Sequence, residues 1–191
     1  MSRLILRKSL RIAATIFPLI YYFSGKRTTL IVVFGFLCFF ICVEIFRFRL
    51  ICFKEDFFSL LKYYVKEKEK KNLLTATWFL LSIFLIVVFF RKDIAITAIL
   101  FLIFGDTASA LFGVRFGRTK IIANRSLEGS LAFFAACLLV AIVLNFTLLV
   151  LPWYVYILGA LSATLIEIIP LPLDDNFTVG IFSAIIMSVL T

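Results

Sequence analysis

IAITAILFLIFGDTASALFGV, residues 94–114, is an apolar run that contains one carboxylate, Asp106. The run is long enough to cross a bilayer, since a transmembrane helix needs about 20 mostly apolar residues. A carboxylate at membrane depth costs roughly 2.5–3.5 kcal/mol even on lenient insertion scales, so it usually lines a polar cavity or meets a cation. We therefore interpret Asp106 as the centre of a functional site. A structural polar contact is the alternative.

The whole chain is as apolar as this run. Of its 191 residues, 63% are hydrophobic, against about 45–50% in soluble domains. Residues 1–191 are therefore predicted to form a single integral-membrane domain. The chain has no histidine, which excludes histidine-based nucleophile activation, acid–base catalysis and metal ligation. The cysteines lack CxxC spacing and are predicted to pack in apolar surroundings, with metal binding by Cys38 and Cys42 as the alternative.

Apolar runs bounded by charge or proline predict about seven membrane-spanning helices. The predicted spans are residues 10–24, 28–46, 73–90, 94–114, 129–151, 153–169 and 177–191. No small-residue cleavage site follows the basic N-terminal segment, so the first run is expected to be retained as a span. The predicted fold class is an all-α, polytopic transmembrane helix bundle.

Lysine and arginine are distributed unevenly between alternate loops. Sixteen of the 20 lie in the N-terminal segment and in the loops at 47–72 and 115–128. The opposite loops hold the other four, Lys26, Arg27, Arg91 and Lys92. By the positive-inside rule, the first group is cytoplasmic, so the N-terminus is predicted to lie inside and the C-terminus outside. The short chain without targeting extensions favours a prokaryotic plasma membrane.

Residues 47–72 are predicted to form a basic segment at the membrane interface. Phe53, Phe57 and Leu61 recur at helical spacing, and Lys54 and Lys62 lie between them. This pattern is typical of a helix that lies on an anionic leaflet. The charged tail at 66–71 is most simply a solvated charge run.

The predicted topology collects acidic residues at the cytoplasmic membrane face. Four of the eleven acids lie in the 47–72 loop, where water can solvate them, and Asp93 is alone on the far side. The remaining six lie near the cytoplasmic ends of predicted helices: Glu44, Asp106, Glu128, Glu167, Asp174 and Asp175. This clustering is the main argument for a site.

Small residues share a helix face with Asp106. Ser109, Ala110 and Gly113 follow it at intervals of three, four and seven residues, which places them on one side of a helix. Small residues on one face permit close helix packing, and that alone accounts for the glycine, alanine and serine. It does not account for the carboxylate.

A basic loop and a serine motif follow. The loop Gly113-Val-Arg-Phe-Gly-Arg-Thr-Lys120 offers guanidinium and ammonium groups, and its glycines allow backbone N–H groups to approach phosphates. The positive-inside rule also accounts for the basic residues. Ser126-Leu-Glu-Gly-Ser130 then opens the next span, and its alternative interpretation is helix capping, with Ser126 as N-cap and Glu128 in the first turn.

Near the C-terminus, Glu167-Ile-Ile-Pro-Leu-Pro-Leu-Asp-Asp-Asn176 combines a carboxylate at a helix end with two prolines and a polar turn. The turn supplies hard oxygen ligands suited to Mg²⁺, which is usually held by a few carboxylates together with substrate phosphates. Capping of the last span is the alternative.

Taken together, these segments resemble the polyprenol-kinase family, which includes dolichol kinase, phytol kinase and CTP-dependent diacylglycerol kinase. That family is related to the phosphatidate cytidylyltransferases. The resemblance covers about residues 105–178 and is weaker upstream, where Arg7-Lys8 and Glu44 match. Arg11 stands where many relatives carry histidine, and Gly180 where proline often follows the Asp-Asp-Asn motif. The histidine–glycine–glycine ending typical of the cytidylyltransferases is absent, which favours the kinases.

The resemblance implies transfer of the γ-phosphoryl group of CTP to a lipid alcohol: a polyprenol, a phytol- or farnesol-type alcohol, or diacylglycerol. The expected partners are CTP, this alcohol and the bilayer, and not nucleic acid. Mg²⁺ is the expected cofactor, held by Asp106, Asp174 and Asp175. Glu128 or Glu167 is expected to accept the proton of the alcohol or to orient metal-bound water. The expected nucleotide contacts are Arg7, Lys8, Gly113, Gly117, Arg118, Lys120, Ser126, Gly129 and Asn176.

Two other functions remain open. A CTP-dependent cytidylyltransferase acting on a lipid phosphate releases pyrophosphate, whereas a kinase releases CDP. A small transporter or non-enzymatic membrane protein that used the same acids for cation or proton passage predicts ion flux without nucleotide turnover. The choice of CTP over ATP rests on the resemblance alone.

Overall fold

The computed structural model describes residues 2–50, 74–122, 125–147 and 151–191, with the side chains of 2–7 and 47–50 left aside. Most of the predicted interfacial segment at 47–72, Cys52 within it, and the side chain of Arg7 lie outside this description. Within the described ranges the chain is helical and has no strand; a single antiparallel bridge joins Lys120 to Ser126.

The described residues form helices α1 (Ser2–Ala13), α2 (Ile16–Leu50), α3 (Thr75–Phe89), α4 (Lys92–Leu100), α5 (Asp106–Phe116), α6 (Leu127–Asn145), α7 (Trp153–Ile168) and α8 (Asp175–Val189). A π-helical segment, Phe101–Gly105, joins α4 to α5. Three apolar helical stretches in these ranges are long enough to cross a membrane, Lys8–Phe46, Lys92–Phe116 and Leu127–Asn145, while α3, α7 and α8 are shorter apolar helices. The predicted all-helical membrane fold is confirmed, and the count of seven spans and the side of the N-terminus stay predictions.

Helix α2 turns back on itself at Gly25. The backbone there has φ 80° and ψ −179°, a conformation that is essentially restricted to glycine. The ring centroids of Phe17 and Phe36 lie 5.6 Å apart, whereas a straight helix rising 1.5 Å per residue would separate the two residues by about 28 Å. The chain therefore forms a helical hairpin, and its turn coincides with the predicted boundary between the spans at 10–24 and 28–46.

We expect Gly25→Ala to destabilise the protein by about 1–2 kcal/mol, because an L-residue is strained at this φ. A steric clash is not the cause of this destabilisation, since an added Cβ meets nothing within 4 Å at either Gly25 or Gly35. Gly35 has helical dihedrals, so Gly35→Ala should instead gain roughly 0.5–1 kcal/mol. Thermal unfolding of both variants in one detergent measures the difference. Equal midpoints would contradict the glycine-dependent turn.

The beginning of the first span differs from the prediction. Helix α1 ends at Ala13 and α2 starts at Ile16, so the predicted span at 10–24 is divided between them. Pro18 explains the break: it has no N–H to donate, and in a continuous helix its ring would clash with the carbonyl of Ala14. A proline is tolerated in the first turn of a helix, which is where Pro18 lies. Helix α1 is thereby a separate basic helix.

The centre of the bundle is formed by α4 and the π-helical segment. Ile94, Ile99 and Phe101 have no exposed surface, and Phe133 of α6 and Tyr156 of α7 are equally buried. A helix that is apolar on all sides belongs in the interior of a bundle. Because α5 continues from this segment, its first residues also lie inside the bundle.

The two short basic loops meet at one end of the bundle. The Nζ of Lys92 donates to the carbonyl of Tyr22 at 2.9 Å, and the Nζ of Lys26 donates to the carbonyl of Val88 at 2.7 Å. These are the loops predicted to share the side opposite the acidic cluster. The structure thus agrees with the predicted pairing of loops.

Candidate active site

Asp106 begins α5 directly after the π-helical segment, a type of distortion that is frequent at functional sites. Its side chain is about one-fifth exposed and forms ion pairs with Lys8 and Arg11 of α1. The Nζ of Lys8 also donates to the Asp106 carbonyl at 3.2 Å. Two cations from the N-terminal helix therefore neutralise the carboxylate in the apolar bundle. Lys8 was predicted at this site, but Arg11 was not.

Arg11 connects Asp106 to the Asp-Asp-Asn turn. Its guanidinium pairs with Asp106 and also donates to Oδ1 of Asn176, at the start of α8. The guanidinium carbon lies 5.7 Å from the centroid of the Phe79 ring in α3, within the range of a cation–π contact. Lys8 and Arg11 are three residues apart on one helix, so they share a face. That spacing is the signal that identifies Arg11 as part of the site.

A second arginine, Arg125, connects two further acids. Its guanidinium pairs with Glu167 at the end of α7 and with Asp175 in the first turn of α8. The Oγ of Ser109 donates to Oε1 of Glu167 at 3.1 Å. Glu167 is only 2% exposed, and a carboxylate so deeply buried requires a partner. Arg125 was not among the predicted site residues, although it directly precedes the serine motif.

Ser126 and Asp174 act as helix caps. The Oγ of Ser126 accepts the N–H of Gly129 at 3.2 Å, and Oδ1 of Asp174 accepts the N–H of Asn176 at 2.9 Å. The capping alternative is therefore correct for both residues. It does not exclude a role in binding, since helix N-termini present N–H groups and a partial positive charge to anions.

The carboxylate of Glu128 is bound to the loop before α6. Its two oxygens lie 3.1 and 3.3 Å from the backbone N of Thr119, which donates to them. The carbonyl of Thr119 accepts the N–H of Leu127 at 2.9 Å. Glu128 thus fixes the loop that carries Arg118 and Lys120, both of which are exposed.

Helices α5, α6 and α7 line a partly open cavity of about 150 Å³ beside Asp106. The predicted face of α5 forms one wall. The lining residues are Asp106, Ser109, Ala110, Gly113, Val114, Arg125, Ser126, Gly129, Ser130 and Glu167.

The glycines around this cavity allow two helices to approach closely. A Cβ at Gly129 would lie 3.1 Å from the Ser109 carbonyl oxygen and 3.4 Å from the Cα of Gly113. Gly117 ends α5, and its N–H donates to the Gly113 carbonyl at 3.1 Å. Close packing, the alternative weighed for the small residues, is thus one of their roles. Contact of Gly113, Gly117 and Gly129 with a nucleotide stays a prediction.

The predicted magnesium ligands do not form a complete metal site by themselves. Among the described residues, no group of three or more Cys, Asp and Glu side chains is placed to hold a metal ion. The available oxygens are nevertheless of the hard type that Mg²⁺ prefers, and Mg²⁺ sites usually include substrate phosphates and water. The residues therefore fit an ion bound mainly through a nucleotide. The magnesium site stays a prediction.

Glu44, the sixth acid of the predicted cluster, has a structural contact. Its Oε1 accepts the N–H of Leu74 and, at 3.2 Å, the hydroxyl of Thr77. These groups belong to the beginning of α3, so the carboxylate satisfies donors that a helix N-terminus leaves unpaired.

The chain is similar to curated proteins from a bacterium and two fungi. The CTP-dependent diacylglycerol kinase 1 of Saccharomyces cerevisiae is 28% identical over 149 residues, which are 65% of this chain and 51% of that protein. The protein of the same name from Eremothecium gossypii is 30% identical over 148 residues, 64% of this chain and 46% of that protein. An uncharacterized protein of Rickettsia prowazekii is 26% identical over 182 residues, 91% of this chain and 87% of that protein.

No model of a known protein family matches the chain, and no solved structure matches it. The chain spans about half the length of the two kinases. Their similarity supports a distant relation to CTP-dependent lipid kinases, as predicted from the motifs at 105–178.

Proposed function

We propose that this protein is a membrane-embedded kinase that transfers the γ-phosphoryl group of CTP to a lipid alcohol. The distant similarity to CTP-dependent diacylglycerol kinases supports the donor and the reaction class. The observation that carries the proposal is the convergence of Asp106, Glu167 and Asp175 with three basic side chains beside one cavity of an apolar bundle. A lipid kinase needs a site of this kind, which both a soluble nucleotide and an alcohol dissolved in the bilayer can reach.

Phosphoryl transfer depends mainly on positioning and on neutralising the charge of the phosphates. Lys8 and Arg11 point two cations at the site, and the loop after α5 adds Arg118 and Lys120, whose exposed side chains are available to a triphosphate. Arginine and lysine are the residues that form the strong, charge-assisted contacts to phosphate oxygens. We assign the triphosphate to these groups, with Arg7 next to Lys8 as a further contact.

Asp106 would hold Mg²⁺, together with Asp174 and Asp175 directly or through water, and the bound ion would neutralise the charge that develops during transfer. Asp106 is the predicted ligand that lies on the cavity wall, and its partners Lys8 and Arg11 are the cations that we assign to the triphosphate. The Asp174 carboxylate also caps α8, which fixes the orientation of the Asp-Asp-Asn turn.

The acceptor is proposed to be a polyprenol, a phytol- or farnesol-type alcohol, or diacylglycerol. Many large apolar side chains are exposed on the outside of the bundle, among them Phe23, Phe89 and Phe146, and such a surface suits contact with lipid chains. The positive-inside rule places the site on the cytoplasmic side, the side where CTP is available, and we propose the plasma membrane of a prokaryote.

The expected result with purified protein in detergent is transfer of label from γ-labelled CTP to a lipid alcohol, with one CDP formed for each lipid phosphorylated. The panel contains diacylglycerol, a polyprenol, phytol and farnesol, and ATP is tested in parallel. Incubation without lipid is the control for hydrolysis. Release of pyrophosphate with a lipid phosphate as substrate would show a cytidylyltransferase instead. Ion flux in proteoliposomes without nucleotide turnover would show a transporter.

A further inference from the structure

Two buried oxygen atoms on the cavity wall have no hydrogen-bond partner among the described residues. They are Oε2 of Glu167 and Oγ of Ser130. Glu167 is 2% exposed and Ser130 4%, and both line the cavity beside Asp106. A buried polar atom without a partner destabilises the folded protein, so such atoms point to a bound molecule that supplies the missing hydrogen bonds.

The two oxygens of Glu167 have different surroundings. Oε1 accepts the hydroxyl of Ser109 and pairs with Arg125. These two contacts fix the position of the carboxylate. Oε2 accepts nothing from the described residues. One oxygen is therefore held by the protein, and the other is buried without a donor among the described residues.

We propose that this cavity receives the hydroxyl group of the lipid alcohol and that Glu167 accepts its proton. The inference rests on the proposed kinase function and names the residue that this function left open. The hydroxyl donates to Oε2 of Glu167, and the hydroxyl of Ser130 donates to the alcohol oxygen. Both unpartnered atoms are then satisfied by one bound group.

In the proposed step, the alcohol oxygen forms a bond to the γ-phosphorus of CTP. The bond between that phosphorus and the oxygen that bridges to the β-phosphate breaks, and its electron pair leaves with CDP. The proton of the alcohol moves to Oε2 of Glu167 and then returns to water. Ser109 and Arg125 are positioning residues, since they hold the carboxylate of Glu167.

The other candidate base, Glu128, has a different environment. Both of its oxygens are engaged by the backbone N–H of Thr119, and the residue is absent from the cavity wall. A general base has to lie within hydrogen-bond reach of the proton it removes. The geometry therefore favours Glu167.

The cavity also indicates which part of the alcohol is recognised. Its walls include Ala110, Gly113 and Gly129, and its volume of about 150 Å³ has room for a hydroxyl with the adjoining carbons. The hydrocarbon chain of the alcohol then lies outside, against the lipid-facing surface of the bundle. We therefore expect alcohols that share a hydroxymethyl end and differ in chain length to react at similar maximal rates.

Glu167→Gln should lower kcat about 100-fold, the usual lower range for loss of a general base, while the KM for CTP changes less than threefold. Ser130→Ala should lower kcat about tenfold. Asp93→Asn, at the opposite end of the bundle, is the matched control and should behave as wild type. Glu128→Gln tests the competing base and should lose less than tenfold, because its carboxylate only supports the loop.

A binding measurement without nucleotide separates this role from a general loss of structure. Wild-type protein in detergent should bind labelled farnesol at least tenfold more tightly than farnesyl methyl ether, which lacks the hydroxyl proton. Glu167→Gln should reduce that preference to below threefold, whereas Ser130→Ala should weaken the binding of both ligands, because the ether oxygen also accepts a hydrogen bond from Ser130. Ala110→Leu, which fills the cavity, should weaken farnesol binding at least tenfold, whereas Ala135→Leu on the exposed face of α6 should not.

The possible outcomes distinguish failure of the kinase function from failure of the role assigned to Glu167. If wild-type protein phosphorylates no lipid alcohol, the kinase function itself fails. If the wild type is active but Glu167→Gln keeps its rate and its preference for the alcohol, then the cavity holds water only and Glu167 is not the base. An effect of Ala135→Leu equal to that of Ala110→Leu would also overturn the assignment of the cavity.

Discussion

Asp106→Asn is expected to lower CTP-dependent phosphorylation of lipid alcohols by about 1,000-fold, the upper range for removing one preorganised electrostatic group. The amide keeps the size of the side chain but loses the charge that pairs with Lys8 and Arg11. It also loses the anionic oxygen proposed to meet Mg²⁺. Steady-state assays with γ-labelled CTP in detergent measure the change.

Asp93→Asn is the matched control for this substitution. Asp93 is also paired with an arginine, with 2.8 Å between its Oδ2 and Arg91, but it lies at the other end of the bundle. Its replacement should leave activity within twofold of wild type. Asp106→Glu, which preserves the charge, should retain more activity than Asp106→Asn, and gel filtration reports whether each variant is folded. A folded Asp106→Asn protein with near-normal turnover would require the proposed role of this carboxylate to be abandoned.

Arg125→Ala is expected to destabilise the protein by about 3–5 kcal/mol, the usual cost of removing one partner from a buried ion pair. The substitution leaves Glu167, which is 2% exposed, with Ser109 as its remaining described partner, and it detaches Asp175. Arg125→Lys keeps the charge but lacks the planar guanidinium group that pairs with two carboxylates at once. An intermediate loss of stability is therefore expected. Unfolding induced by heat or by denaturant, with the protein in a mild detergent, measures these differences.

Arg91→Ala is the control for Arg125→Ala, because it removes an arginine–carboxylate pair in which the arginine side chain is 67% exposed. Exposed pairs contribute about 0–1 kcal/mol. In the double variant Arg125→Ala/Glu167→Gln, part of the loss should be recovered, since no charge is then left unpaired in the interior. Equal destabilisation by Arg91→Ala and Arg125→Ala would show that the buried network does not stabilise the bundle.

The helices could be predicted because membrane insertion leaves a strong signal in the sequence. The predicted spans at 94–114, 153–169 and 177–191 differ by a few residues from the helical stretches Lys92–Phe116, Trp153–Ile168 and Asp175–Val189. The turn at Gly25 also fell at a predicted boundary. Hydropathy carries this information since each span has to match the thickness of the hydrocarbon core.

Local departures from regular helices were not predicted. The π-helical segment Phe101–Gly105 consists of apolar residues, and nothing in their composition separates it from the α-helix on either side. The break between α1 and α2 had a signal in Pro18, but an apolar run that extends past a proline still satisfies a hydropathy window.

At the site, the acids were predicted better than their partners. A carboxylate in an apolar run is rare and is noticed at once, as Asp106 was. Arg11 and Arg125 were missed because the positive-inside rule accounts equally for every basic residue on that side. Which of them turn toward the carboxylates depends on how α1 and the loop before α6 pack, and that is a property of the tertiary structure.

The bridge from Arg11 to Asn176 joins residues that are 165 positions apart in the chain. Helix α1 precedes α8 along the chain, so a nascent chain can form this contact only after α8 has been synthesised. Ribosome-bound chains that lack α8 would carry Arg11 without that partner, and a misassembled bundle would do the same. A site that joins α1 to α8 is therefore complete only when both helices are present.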